Sequence, residues 1–339
     1  MADIKTKKRR HRRRKLLLIA EILLIILAIY IGFMAYIYSK LQRGEWSDKD
    51  IYMNENIGGN IDKYTNIALF GVDSRENSLT TNTRSDAIII ASMNRLTHKL
   101  KLVSIYRDTL VYIPDHGYTK LNHAYAYGGP KLAVETINRN FDMNITDFVT
   151  VNFSALTDLV DALGGVTVEI TEEELDEVNR YAKDVANINK KDWSKIKSAG
   201  EQLLTGVQAT GYSRVRYTKG GDFTRAERQR TVIKAIIAKA KHTNPVKLLG
   251  AADSVLPQVS TSLSGTEFVW LASFFPFYSV NEQDGFPFDK ANRKINKASV
   301  VVCDTLSSNV SALHEYLFGT KDYAPSDTVI SIDKELSSL

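Results

Sequence analysis

The chain has 339 residues, 44% hydrophobic by type and 24% charged, enough for one large domain or two small ones; collagen-like, wholly disordered and disulfide-stapled architectures are excluded. Its formal net charge is +5, yet residues 1–15 hold nine Lys or Arg against Asp3, and from Ser39 onward 35 basic residues face 37 acidic ones. The folded part is therefore slightly acidic, and the charge balance points to no nucleic acid partner.

The basic tail, residues 1–15, runs directly into Leu16 to Tyr38, 23 residues without Lys or Arg, whose single charge is Glu21. A helix of that length spans a hydrocarbon core of about 30 Å, with Glu21 near the basic end. No small-residue cleavage site follows, so the segment (16–38) reads as a membrane anchor, not a removable signal. Tyr30, Tyr36, Tyr38 and Trp46 suggest an aromatic belt. The positive-inside bias places a single-pass chain in the cell membrane, with its N-terminus cytoplasmic and its C-terminal domain extracellular.

Residues 39–63 are polar and glycine-containing and read as a tether, and the folded domain is expected over residues 64–330. Short apolar runs at 67–72, 87–92, 100–105, 148–153 and 166–170 predict strands. Helical spacing is expected over 131–141 and 156–163, Thr171 can cap a helix over 172–180, and an amphipathic helix covers 223–241 before Pro245 closes it. The alternation argues for an α/β fold, a layered mixed sheet flanked by helices. Residues 264–298 read as an aromatic cluster and a polar loop, followed by a strand at 300–302 and a helix over 309–318. Cys303 is the only cysteine, forms no internal disulfide and reads as a small core residue in a strand.

Residues able to do chemistry gather in loops after strands, where α/β sheets bind ligands. Asp73 and Arg75 end one apolar run, and Arg84 and Asp86 open the next. The two carboxylates can reach a hard cation such as Mg²⁺, although turn formation and helix capping explain either alone. Arg107 and Asp108 follow another strand as a site or as a structural ion pair. His123 is a weaker candidate for a general base, since no acid is seen to orient it. Tyr212 to Arg230 is the richest stretch: Arg214 and Arg216 share one face of an extended segment, Gly220 and Gly221 turn the chain, and Asp222 can cap a helix bearing Arg225, Arg228 and Gln229. Convergent guanidiniums at a helix N-terminus suit a phosphate group, whereas Arg228 and Arg230 are also explained by a solvated helix face.

In this order GVDSR, RSD, YRDT, KLNHAYAYGG, VDALGGV, LTGVQATGYSRVR and GDFTRAERQR resemble the LytR-CpsA-Psr (LCP) family of Gram-positive cell envelopes, over about residues 64–241. The resemblance implies an extracellular, Mg²⁺-dependent phosphotransferase. It would move a glycopolymer phosphate (teichoic acid, capsule or a related polysaccharide) from a polyprenyl pyrophosphate carrier to peptidoglycan. It implies Asp73 and Asp86 as magnesium ligands, and Arg75, Arg84, Arg107, Arg214, Arg216, Arg225 and Gln229 as the pyrophosphate-contacting set. Arg107, Asp222 and Arg225 would stand nearest the chemistry. Tyr106 replaces a frequent proline, and Val111 an arginine that many members carry, which implies one fewer pyrophosphate contact. The lipid needs an apolar slot, which the aliphatic strands and the helix over 223–241 can line. Two other functions use the same residues or fewer: a polyprenyl pyrophosphate hydrolase, and a non-catalytic lipid-binding or regulatory envelope protein.

Overall fold

The computed structural model describes residues 2–43, 50–73, 79, 83–295 and 297–339. Helix α1 (Ala2–Ser39) contains, among the described residues, the one stretch long and apolar enough to cross a membrane, Lys15–Ser39. Its large apolar side chains from Leu16 to Ile31 are exposed. The tyrosines of the expected belt tie its end to the domain: Tyr36 donates to Asp253 Oδ1 at 2.8 Å and Tyr38 to Leu263 O at 3.1 Å. Trp46 lies outside the described residues.

After β1 (Gln42–Arg43) come β2 (Tyr64–Val72), β3 (Ser85–Asn94), β4 (Lys99–Ile105) and the hairpin β5 (Leu110–Ile113) and β6 (Gly117–Lys120). The chain continues through α2 (Leu121–Phe141), β7 (Asp147–Asn152), α3 (Phe153–Ala162), β8 (Val166–Ile170), α4 (Glu172–Asn189), β9 (Gly200–Leu204), α5 (Gly206–Arg214) and α6 (Asp222–Lys241). It ends with α7 (Pro245–Val255), β10 (Val259–Thr261), α8 (Gly265–Phe274), β11 (Ser279–Phe286), β12 (Lys290–Ile295), β13 (Ala298–Cys303), α9 (Leu306–Phe318) and α10 (Asp327–Leu336).

The main sheet runs β1-β10-β7-β2-β3-β4-β11. Strands β2 and β7 are parallel, as are β4 and β11, while β2/β3 and β3/β4 are antiparallel. Period-two alternation splits the side chains between two faces. Ala68, Phe70 and Val72 join the large core under α2, α9 and α10, and Ile67 and Leu69 turn to the face covered by α6 and α8.

Several expectations change. Helix α2 begins ten residues before 131 and kinks at Gly128 and Gly129. Helix α6 ends at Lys241 with His242 as its cap, so Pro245 opens α7 and does not close α6. The supposed loop in 264–298 contains β11 and β12, and the supposed tether is folded from residue 50, with Ile51 and Ile61 buried and Asn54 Nδ2 donating to Asp142 Oδ1 at 2.6 Å. Cys303 is partly buried at the end of β13, and burial pushes its thiol up to about 12, which leaves it unreactive.

Candidate active site

Strand ends build the site. Strands β2 and β4 deliver Asp73 and Arg107 from their C-terminal ends, and antiparallel β3 delivers Asp86 from its start, so the three meet on one edge of the sheet. The N-terminus of α2 docks there too, because Leu121 N donates to Thr109 O and Asn122 N to Arg107 O.

The arginine pair is carried differently from the expected extended segment: Arg214 is the last residue of α5, and the chain extends only at Val215. The weak helix formers of α5 have a packing reason. A Cβ on Gly211 would come within 2.6 Å of Ala182 N, so glycine lets α5 lie against α4. Gly220 and Gly221, at φ of 92° and 57°, then turn the chain into α6, whose N-cap is Gly221 and whose first residue is Asp222.

Asp73, Asp86, Phe153, Tyr181, Ser213, Arg214, Arg216, Arg225 and Gln229 line one cup of about 240 Å³. Arg107 Nη1 donates to Asp86 Oδ1, and Arg107 Nε stands 3.4 Å from Asp222 Oδ2 and 3.9 Å from Asp108 Oδ1. Arg225 Nη2 lies 3.0 Å from Asp222 Oδ2, Arg216 Nη2 lies 3.8 Å from Asp86 Oδ1, and Arg214 Nη2 lies 3.9 Å from Asp73 Oδ2. Arg225 is only 3% exposed. Burial pulls its guanidinium down to about 10 against the attraction of Asp222, and crowding by Arg107 and Arg216 adds to the fall. Burial likewise disfavours the charge on Arg107, but Asp222, Asp86 and Asp108 outweigh it and hold that guanidinium more firmly protonated than usual. Both Nε atoms are buried without a hydrogen-bond acceptor. Guanidiniums crowded together on one cup suit an anionic ligand.

Of the residues expected here, Arg75 lies outside the described residues. Arg84 is exposed and outside the cup lining; it stands near enough to His123 to lower that imidazole's pKa, after burial and ahead of Lys120. His123 therefore stays neutral, with Nδ1 2.8 Å from Thr119 Oγ1. The solvated-face reading of Arg228 and Arg230 is overturned, since both are buried. Arg228 Nε reaches Glu174 Oε1 at 2.7 Å while its other nitrogens donate to Val215 O at 3.1 Å and Thr218 Oγ1 at 2.7 Å, so it holds the loop that carries Arg216. Tyr181, Phe153 and Ser213 escaped sequence reasoning; each is an unremarkable residue on a helix, and only the packing of α3, α4 and α5 brings them in. Tyr106 packs on Phe223 with ring centroids 4.5 Å apart, and Val111 is fully buried in β5.

A second cavity of about 230 Å³ adjoins the cup through Phe153, Ser213 and Gln229. Its walls are almost wholly apolar, with Leu69, Ile89 and Val149 from the sheet facing Val232, Ile233 and Ile237 of α6. A charged cup opening into an apolar slot fits a molecule with a phosphate head and a hydrocarbon tail.

Asp73 and Asp86 are the side chains that could hold a divalent cation. Two carboxylates on an open cup would suit a hard cation such as Mg²⁺, which keeps positions for water and phosphate. Among the described residues no group of three or more His, Cys, Asp or Glu gathers into an all-protein cage.

The sequence profile of the LytR_cpsA_psr family matches residues 33–312. The chain belongs to this family. Among its relatives, the polyisoprenyl-teichoic acid–peptidoglycan teichoic acid transferase TagU of Halalkalibacterium halodurans is 34% identical over 254 residues, covering 70% of this chain and 76% of the relative. The corresponding transferase TagT of Bacillus subtilis is 34% identical over 208 residues, 61% of each chain. The family fold is equally clear. TagT bound to LIIa-WTA superposes with a TM-score of 0.62 at 27% identity, over 82% of this chain and 98% of that one. TagT with bound octaprenyl pyrophosphate lipid does so with a TM-score of 0.57 at 27% identity, over 83% and 99%.

Proposed function

We propose that this protein transfers a glycopolymer phosphate from a polyisoprenyl pyrophosphate carrier to peptidoglycan, as the names of its teichoic acid transferase relatives describe for them. One observation carries the reading: the arginine-lined cup and the apolar slot share Phe153, Ser213 and Gln229, so one amphiphile can occupy both. The acceptor hydroxyl attacks the phosphorus that bears the glycan, the P–O–P bridge breaks, and polyisoprenyl phosphate leaves. Negative charge grows on the bridging and terminal oxygens, and Arg107, Arg214, Arg216 and Arg225, fixed in advance by Asp73, Asp86 and Asp222, meet it without reorganisation. Gln229 stands where cup and slot meet and orients the head group. A cup carboxylate accepts the hydroxyl proton.

Mg²⁺ belongs to this proposal, with Asp73 and Asp86 as its ligands. When bound it supplies Lewis-acid neutralisation of phosphate charge. So does the topology: the basic tail before Lys15–Ser39 supports a cytoplasmic N-terminus and an external domain.

Incubating the protein with a labelled lipid-pyrophosphate saccharide and peptidoglycan oligomers tests the function. Label on the oligomer supports transfer, and free saccharide phosphate alone would make the protein a hydrolase. Protease added to intact protoplasts should remove the domain and spare the tail; a protected domain would refute the orientation.

A further inference from the structure

Helix α8 and the turn after it, Phe275–Phe277, run beside the end of the anchor. Near the start of α8 the Tyr38 ring lies 6.1 Å from that of Phe268, and eight residues earlier in α1 the Tyr30 hydroxyl lies 2.6 Å from Ser273 Oγ at the far end of α8. The two helices are thus antiparallel neighbours, and α8 descends along α1 by about 7.5 Å between Phe268 and Ser273, at about 1.5 Å per residue. Tyr30 lies well inside the apolar stretch Lys15–Ser39, whereas Lys40 and Asp253, 3.6 Å apart, mark the polar level above it.

What the chain places at that depth is apolar. From Phe268 to Asn281 the sequence FVWLASFFPFYSVN has no charged residue. Phe274 is 38% exposed and Phe277 67% exposed. Polar groups stand just behind them: the His98 ring lies 6.4 Å from that of Phe274 and 6.2 Å from that of Phe277, and Lys241 Nζ donates to Tyr278 O. Exposed aromatic tips with a lysine just behind them match the border between acyl chains and headgroups.

We propose that α8 and the Phe275–Phe277 turn form a membrane-inserted arm, seated beside α1 in the leaflet on the domain's side, with Phe274 and Phe277 among the acyl chains. The inference rests on reading α1 as the membrane span and is independent of the chemistry in the cup. It also gives the slot a position. Trp270 and Leu271 of α8 pack in one cluster with Ile233 and Ile237, which line the slot, so the arm joins the slot to the bilayer.

The test is a depth measurement on the full chain in phosphatidylglycerol and phosphatidylethanolamine vesicles. In a Cys303→Ser background, Phe277→Cys, Ile26→Cys and Leu203→Cys each carry an environment-sensitive dye; Leu203 is an exposed residue of the β8–β9 hairpin. Spin-labelled acyl chains should quench the dye at 26 and at 277 severalfold more than at 203, and aqueous iodide should reach only 203. A dye at 277 as open to iodide as that at 203, with 26 still deep, would overturn the arm and leave the anchor. Loss of lipid quenching at both 26 and 277 would overturn the anchor reading and the arm with it. A dye at 277 shielded from both quenchers would mean that a protein surface covers the tip, which also overturns the proposal.

Discussion

Arg225 holds its Nη2 3.0 Å from Asp222 Oδ2 and 3.4 Å from Asp86 O, so its guanidinium is fixed at the start of α6 before any ligand arrives. A charge-assisted hydrogen bond contributes about 1.5 to 3 kcal/mol, which corresponds to roughly 10- to 150-fold in rate. Arg225→Lys keeps a cation but loses the fork, and should slow transfer within that range. Turnover with a short pyrophosphate lipid, read beside a thermal melt, checks it; wild-type turnover would remove Arg225 from the site.

Asp73 and Asp86 differ in what they hold. Asp86 serves both Arg107 and Arg216, whereas Asp73 faces Arg214 across 3.9 Å. Both Asp73→Asn and Asp86→Asn should abolish most magnesium-dependent transfer, and chelation of the wild type should match them. Undiminished transfer in excess chelator would leave the two acids as anchors for arginines alone.

Arg228 and Glu174 form a buried pair. Arg228→Ala leaves the carboxylate without its partner and should destabilise the fold by about 3 to 5 kcal/mol. Denaturant unfolding measures this, and a loss under about 0.5 kcal/mol, the usual range for surface substitutions, would restore the solvated-face reading.

Arg230 is the opposite case, buried with Nε and Nη1 unpartnered. Arg230→Met keeps the apolar stem and removes the poorly solvated charge, so stability should be unchanged or rise, with transfer retained. A clear fall in melting temperature would show that the cation has a partner worth keeping.

These two arginines mark the limit of what sequence could tell. The parallel and antiparallel strands under the cup were legible because apolar residues alternate or run together, and Val166 to Ile170 was read to the residue. The density of arginine over 214–230 pointed to the right loop. Which arginines face the ligand depends on partners far away in the chain, such as Glu174, 54 residues from Arg228. Helix α5 was hidden because glycine at 211 was selected for closeness to α4, not for helix formation. Strand β11 was hidden because its outer half, at the sheet's edge, carries Asn281, Glu282 and Asp284.

His314 gives a pH signature away from the site. It is fully buried with Nε2 3.2 Å from Phe141 O and its ring stacked 3.7 Å from Tyr323. Burial lowers its pKa to about 4, against the smaller upward pull of that carbonyl and Asp142. The unfolded chain, titrating near 6.5, therefore binds more protons between pH 6.5 and 4, and stability falls as pH drops through that window, by on the order of 3 kcal/mol. His314→Phe should flatten the fall. Unfolding midpoints at pH 7 and 4.5 compare the two, and equal slopes would contradict it.

Both borders of the sheet are finished late. Strands β7, β2, β3 and β4 are complete by residue 152, but β10 at 259–261 and β11 at 279–286 supply their outer neighbours. A nascent chain cut or stalled before residue 259 would present β7 and β4 as bare edges, open to pairing with any extended polypeptide nearby. The last quarter of the sequence is thus the part that keeps this protein from aggregating, and truncations ending before it should be recovered as insoluble material even though they retain every residue of the arginine cup.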